Sequence, residues 1–101
     1  MNIIKYSQDL SKEIEEYSKT SFNISEGERK FANYSRKIKL VIVRAEFKDE
    51  IKKVLQDSLN DINIVYPAMA SESAERDEIK DSLIRLNDLL NEIIEQTKLE
   101  G

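Results

Sequence analysis

Apolar residues near both ends of the chain recur with the spacing of amphipathic helices. In the C-terminal part they follow alternating steps of four and three, at Ile79, Leu83, Leu86, Leu90 and Ile93, and the stripe is broadened by Ile84, Leu89 and Ile94. The N-terminal part has the same spacing at Ile3, Tyr6, Leu10, Ile14 and Tyr17. With 3.6 residues per turn, each set falls on one helical face. We therefore predict a first helix at about residues 3–19 and a last helix at about residues 72–98, beginning after Ser71 or Ser73.

The segment between these two helices lacks residues that would end a helix. Ser25 and Glu28 form a capping box, in which the serine side chain caps the helix and the glutamate reaches back. From Glu28 to Tyr66 there is neither glycine nor proline, so nothing compels a helix to stop before Pro67. We predict a second helix at about residues 26–61, which would be roughly 50 Å long at 1.5 Å per residue.

The apolar positions of this second helix change sides. One face carries Phe31, Tyr34, Ile38, Val41 and Ala45, and the face about 180° away carries Leu40, Val43, Phe47, Ile51 and Val54. A continuous helix whose middle is covered by a second subunit would explain the change. Alternatively, residues 37–44 and 62–66 are strands on either side of a helix, which their β-branched residues favour.

We favour the helical alternative, because residues 44–46 contain no turn residue and two short strands make an undersized sheet. The predicted fold is all-α: a single domain of residues 1–101, built as a three-helix bundle or hairpin around a long central helix, and homo-oligomeric through its middle. A small α+β fold with a β-α-β unit at residues 37–66 is the alternative. The residues expected at the oligomer or partner interface are Ile38, Leu40, Val41, Val43, Phe47, Tyr66 and Met69.

Composition narrows the possible chemistry. The 101 residues include no cysteine and no histidine, which removes disulfides, thiolate nucleophiles and the usual general base near neutral pH. Carboxylates repeat every seven residues at Asp81, Asp88 and Glu95, opposite the apolar stripe, as expected of a solvated helix face. We expect no catalytic residue, no metal and no cofactor. The longest apolar run, residues 40–43, is far shorter than the roughly 18 residues of a membrane span, and no secretory signal is recognisable, so we expect a cytoplasmic protein without membrane contact.

Charge is unevenly distributed along the chain. The segment 29–44 carries no acidic residue and six basic ones, whereas the chain as a whole has a net charge of −4. The six are Arg29, Lys30, Arg36, Lys37, Lys39 and Arg44. They could bind nucleic acid, with Phe31 and Tyr34 stacking on bases, or they could pair with the acidic outer helices while those aromatics fill the core.

The favoured function is a non-enzymatic interaction module. Amphipathic helices, an acidic surface and the missing catalytic inventory are typical of an adaptor, inhibitor or regulator that binds another protein. A nucleic-acid-binding regulator that uses the basic segment 29–44 is the alternative.

Overall fold

The computed structural model describes residues 2–69 and 76–100, with side chains at 2–63 and 78–99. These two ranges contain four helices: α1 (Ile3–Ser18), α2 (Ile24–Arg44), α3 (Asp49–Met69) and α4 (Arg76–Glu100). No strand occurs in these two ranges. The all-α prediction is therefore confirmed, and the β-α-β alternative is wrong because residues 37–44 and 62–66 are helical.

The two outer helices agree with the sequence pattern. The α1 helix is capped by Asn2, whose side chain accepts a hydrogen bond from the Lys5 backbone N–H at 3.0 Å. In α4 the five residues of the predicted apolar stripe are no more than 1% exposed. Ile84 is an exception to the broader stripe, because it is 43% exposed. The candidate caps Ser71 and Ser73 lie outside the described residues.

The predicted long central helix at residues 26–61 is wrong, because two helices occupy this range. The α2 helix ends at Arg44, and Ala45 adopts an extended backbone with ψ of 145°. Chain reversal at residues 45–48 brings Leu55 and Leu59 of α3 back onto the core, where each is at most 4% exposed. In one continuous helix they would have projected beyond it. The α2 helix also begins earlier than predicted, with Asn23 as its cap in place of Ser25.

The loop between α2 and α3 is stabilised by burial and by charge, without any glycine or proline. Ala45 and Phe47 are 4% and 8% exposed, so both sides of the turn contribute to the core. Arg44 lies in the last turn of α2, and α3 begins with Asp49 and Glu50. These charges suit the negative and positive ends of the two helix dipoles, respectively.

The helix α4 is the centre of the bundle. It packs against α1, α2 and α3, whereas within the described residues α1 and α3 do not contact each other. The α2 and α3 helices run antiparallel, as shown by the hydrogen bond from Ser35 Oγ to Asn63 Oδ1 at 3.0 Å and by that from Lys52 Nζ to the Val43 carbonyl oxygen at 3.2 Å. Because α2 and α4 pack on each other across the middle, their outward faces lie on opposite sides of a body measuring 42 × 24 × 17 Å.

Gly27 permits a close approach where α2 begins. A Cβ atom at this position would lie 2.8 Å from Phe22 Cε2 and 2.9 Å from Ile79 Cγ2. We expect Gly27→Ala to lower the free energy of unfolding by about 1 kcal/mol, because overpacking of roughly 2 kcal/mol exceeds the helix-propensity gain of about 1 kcal/mol. Urea unfolding measures this change. Ser25→Ala, at an exposed position of the same turn, is the control and should not destabilise. A Gly27→Ala protein more stable than wild type would contradict the packing.

Val41 and Val43 lie two residues apart on opposite faces of α2. Val41 is 0% exposed and Val43 is 52% exposed. Val41→Asp should lower the free energy of unfolding by more than about 4 kcal/mol, because the carboxylate is buried without a partner, whereas Val43→Asp should change it by less than about 1 kcal/mol. Circular dichroism during thermal unfolding distinguishes the two. Equal destabilisation by both variants would argue against the assigned faces.

Candidate interaction surface

Two aliphatic side chains are exposed on the outward face of α2, one helical turn apart. Leu40 is 39% exposed and Val43 is 52% exposed. At 100° per residue, both fall on the side of the helix that faces away from the core. Exposed arginines and lysine surround them. We call this surface the α2 strip, made of Arg29, Asn33, Arg36, Lys39, Leu40, Val43 and Arg44.

The charges of the α2 strip are not neutralised by ion pairs within the described part of the chain. The ion pairs seen there join Lys19 to Glu15 at 3.3 Å and Lys98 to Glu95 at 3.8 Å, each within one helix. The sequence-based alternative, in which the basic segment pairs with the acidic outer helices, therefore finds no such pair among these residues. The guanidinium and ammonium groups of the strip stay available to a partner.

Two of the six basic residues are less accessible than the others. Lys30 and Lys37 are half-buried. The Lys30 ammonium lies 5.3 Å from the centre of the Tyr17 ring and 6.0 Å from that of Tyr34, which is cation–π geometry. Lys30 therefore belongs to the junction of α1 and α2, and the basic surface presented to solvent is centred on Arg29, Arg36, Lys39 and Arg44.

The aromatic residues of the basic segment are part of the core. Phe31 is 2% exposed and Tyr34 is 0% exposed. The Tyr17 ring stacks on Phe22 at 5.0 Å and meets the edge of Tyr34 at 6.3 Å. Neither Phe31 nor Tyr34 can stack on a nucleic-acid base without unfolding α2. Their burial supports the interpretation in which these aromatics fill the core.

The residues predicted at an interface lie partly in the core and partly on the surface. Ile38 and Val41 are 0% exposed and Phe47 is 8% exposed, so these three are buried by the chain itself. Of the five whose side chains the structure describes, the other two, Leu40 and Val43, stand on the surface. Tyr66 and Met69 fall within α3, which continues to Met69, beyond the end predicted at about residue 61, but their side chains lie outside the described residues.

The outward face of α4 is a second surface, and sequence reasoning recognised only its carboxylates. Asp81, Asp88 and Glu95 are exposed there. Ile84 stands among them with 43% of its surface exposed. Asn91 is exposed on the same face and accepts a long hydrogen bond from Ser11 at 3.3 Å. We call these five residues the α4 strip. Ile84 is the residue that could have indicated this surface, because its position is outward. In the sequence it was grouped with the inward apolar stripe.

Shallow grooves flank α4 on both sides. The grooves against α1 have volumes of about 430 and 540 Å³, and Ser11 Oγ bridges the two helices by donating to Asn87 Oδ1 at 2.6 Å. The groove against α3, about 340 Å³, contains the exposed Val54. All three grooves are open to solvent and are lined in part by polar or charged side chains. Among the described residues, no three acidic side chains gather as a metal site requires.

Comparison with known proteins found no match: no family model, no curated protein and no solved structure is similar to this chain. Within residues 2–69 and 76–100, none of the helices is both long and apolar enough to cross a membrane.

The buried tyrosines give the fold a sensitivity to alkaline pH. Burial raises the pKa of Tyr34 from 10.0 to about 12, with the carboxylate of Glu13 adding to the effect. Burial and the Glu26 carboxylate likewise raise the pKa of Tyr17 to about 12. The unfolded chain therefore releases these protons first, so their contribution to stability is complete below pH 10 and is lost as the pH rises from 10 to 12.

Tyr34→Phe tests this assignment. The Tyr34 hydroxyl has no hydrogen-bond partner among the described residues, so its removal should leave stability at neutral pH unchanged or slightly raised. Above pH 10 the variant should lose less stability than wild type. Urea unfolding at a series of pH values measures both effects. If both proteins lose the same stability above pH 10, titration of Tyr34 is excluded as a cause of that loss.

Proposed function

We propose that this chain is a non-enzymatic protein-interaction module, an adaptor, inhibitor or regulator, that binds its partner through the α2 strip. The observation that carries the proposal is the exposed pair Leu40 and Val43 at the centre of basic side chains that form no ion pair with the described residues. An apolar centre within a charged rim is the arrangement of many protein interfaces.

The two parts of the strip contribute differently to binding. Removal of Leu40 and Val43 from water supplies affinity, because burial of aliphatic surface stabilises by about 25 cal/mol per Å². The exposed Arg36 and Arg44 at the rim supply orientation and association rate more than affinity. Arg36 and Arg44 are eight residues apart, or roughly 12 Å along the helix. The partner that fits is a protein surface with a small apolar patch bordered by carboxylates.

Nucleic acid is the second candidate, supported by the alignment of Arg29, Arg36, Lys39 and Arg44 on one exposed face. Two observations favour a protein partner. The aromatics that would stack on bases are in the core, and the aliphatic pair lies where phosphates would have to approach. Residues outside the segment 29–44 also sum to −10, a charge that repels a polyanion at long range.

The test is affinity capture from the native host with two matched double variants. Leu40→Ser/Val43→Ser removes one leucine and one valine from the α2 strip. Leu99→Ser/Val54→Ser removes the same two residue types from positions 79% and 63% exposed on other helices. We expect the first variant to lose the captured protein and the second to retain it, with circular dichroism confirming that both are folded.

Three outcomes are informative. Selective loss with the first variant supports the α2 strip as the binding surface. Equal capture by both variants contradicts it. Capture that disappears after nuclease treatment and weakens steeply with salt would replace the protein partner by nucleic acid.

A further inference from the structure

The α2 strip and the α4 strip share one spacing. Along α2 the outward residues follow steps of four, three, four and three, and along α4 the same steps occur when the helix is read backwards. The resulting antiparallel pairs are Arg29 with Glu95, Asn33 with Asn91, Arg36 with Asp88, Leu40 with Ile84, and Val43 with Asp81. Each strip is roughly 21 Å long at 1.5 Å per residue.

The chemistry of the paired positions is complementary. Arginines stand opposite carboxylates at two of the five positions, and Arg44 follows directly after Val43, within reach of Asp81. The exposed aliphatic residues Leu40 and Ile84 stand opposite each other. Repeats of alternating three and four residues are the spacing at which two helices bury a common seam.

We propose that the partner of the α2 strip is a second copy of this chain, which presents its α4 strip in antiparallel orientation. This inference rests on the proposed function and identifies its partner. Leu40 packs on Ile84 of the second copy, and the arginines on either side meet its carboxylates. The ion pair between Glu95 and Lys98 is 3.8 Å long and both of its side chains are exposed. On association this pair breaks, and Glu95 binds Arg29 of the other copy instead.

The position of the two strips determines the kind of assembly. They lie on opposite sides of the bundle, so one pair of copies cannot use both strips at once. A contact between two different surfaces is heterologous, and it continues into a chain or closes into a ring of several copies. An open chain of copies keeps one free α2 strip at one end and one free α4 strip at the other, whereas a ring leaves neither strip free.

Salt should control this assembly. Exposed ion pairs are individually weak and are screened as ionic strength rises, so the contact depends on several pairs acting together with the apolar centre. The net charge of −4 opposes association at long range, and this repulsion is screened as well. Local pairing should dominate at low salt, with larger species at higher protein concentration.

The test is sedimentation velocity with charge-reversed variants. Arg29→Glu/Arg36→Glu places glutamates opposite Glu95 and Asp88, and Asp88→Arg/Glu95→Arg places arginines opposite Arg36 and Arg29. Each variant alone has like charges at both of these paired positions and should remain monomeric. Mixed in equal amounts, the two should associate again, because opposite charges then meet at both positions, whether the contact joins the two altered strips or the two unaltered ones.

Net charge is controlled by Lys5→Glu/Lys53→Glu, which alters exposed residues of α1 and α3 and changes the net charge as much as the α2 variant does. It should associate like wild type. Circular dichroism checks the fold of each protein. The proposal is overturned if wild type is monomeric at low salt across the concentrations measured, if either strip variant associates like wild type, or if the mixture stays monomeric.

Failure of this proposal can be distinguished from failure of the proposed function. A monomeric wild type whose Leu40→Ser/Val43→Ser variant still loses a captured protein excludes self-association and keeps the α2 strip as a binding surface for another protein. Association unaffected by the strip variants, together with capture unaffected by Leu40→Ser/Val43→Ser, excludes both.

Discussion

Burial of the apolar face of α4 is the interaction on which the rest of the structure depends. Leu83, Leu86 and Leu90 of α4 are 0% exposed, and this helix packs against the three others. Isolated helices of this length are marginal in water, and most of their stability in a protein comes from packing of an amphipathic face. The α1, α2 and α3 helices all obtain such packing from the apolar face of α4, which is therefore the helix that the other three have in common.

The helices that could be predicted are those whose apolar period stays in phase. The stripes of α1 and α4 hold one face from end to end, so their existence and their buried residues follow from spacing alone. The break at residues 45–48 could not be found by searching for glycine or proline. It is caused by tertiary packing: the apolar residues of α3 lie out of phase with those of α2, and only a reversed chain buries both sets.

A weaker signal of this break was present in the charges. Arg44 and the pair Asp49 and Glu50 have the signs expected at the end of one helix and the beginning of the next. The change of apolar face near residues 38–47 also had its origin here. It reflects two helices with different orientations, and a covering subunit is not needed to explain the burial of Ile38 and Val41.

The candidate surface could be predicted only in part for the same reason. Clustering of basic residues is visible along the sequence, but the distinction between Val41 inside and Val43 outside depends on which face of α2 meets α4. The match between the α2 and α4 strips was less accessible still, because the seven-residue spacing of the α4 carboxylates is also what a solvated face produces. Knowledge of both outward faces was required to compare them.

Within the part of the chain that the structure describes, α1 and α3 do not contact each other, which has an energetic consequence. There the two helices are connected through their contacts with α2 and α4, so a substitution in one does not alter the packing surroundings of the other. In a double-mutant cycle, changes placed in α1 and α3 should have a coupling energy near zero, whereas changes that face each other across α2 and α4 should be strongly coupled. The bundle therefore consists of a cooperative central pair, α2 and α4, and two flanking helices, α1 and α3. The sequence of each flanking helix can vary independently of the other, provided that it still packs on the central pair.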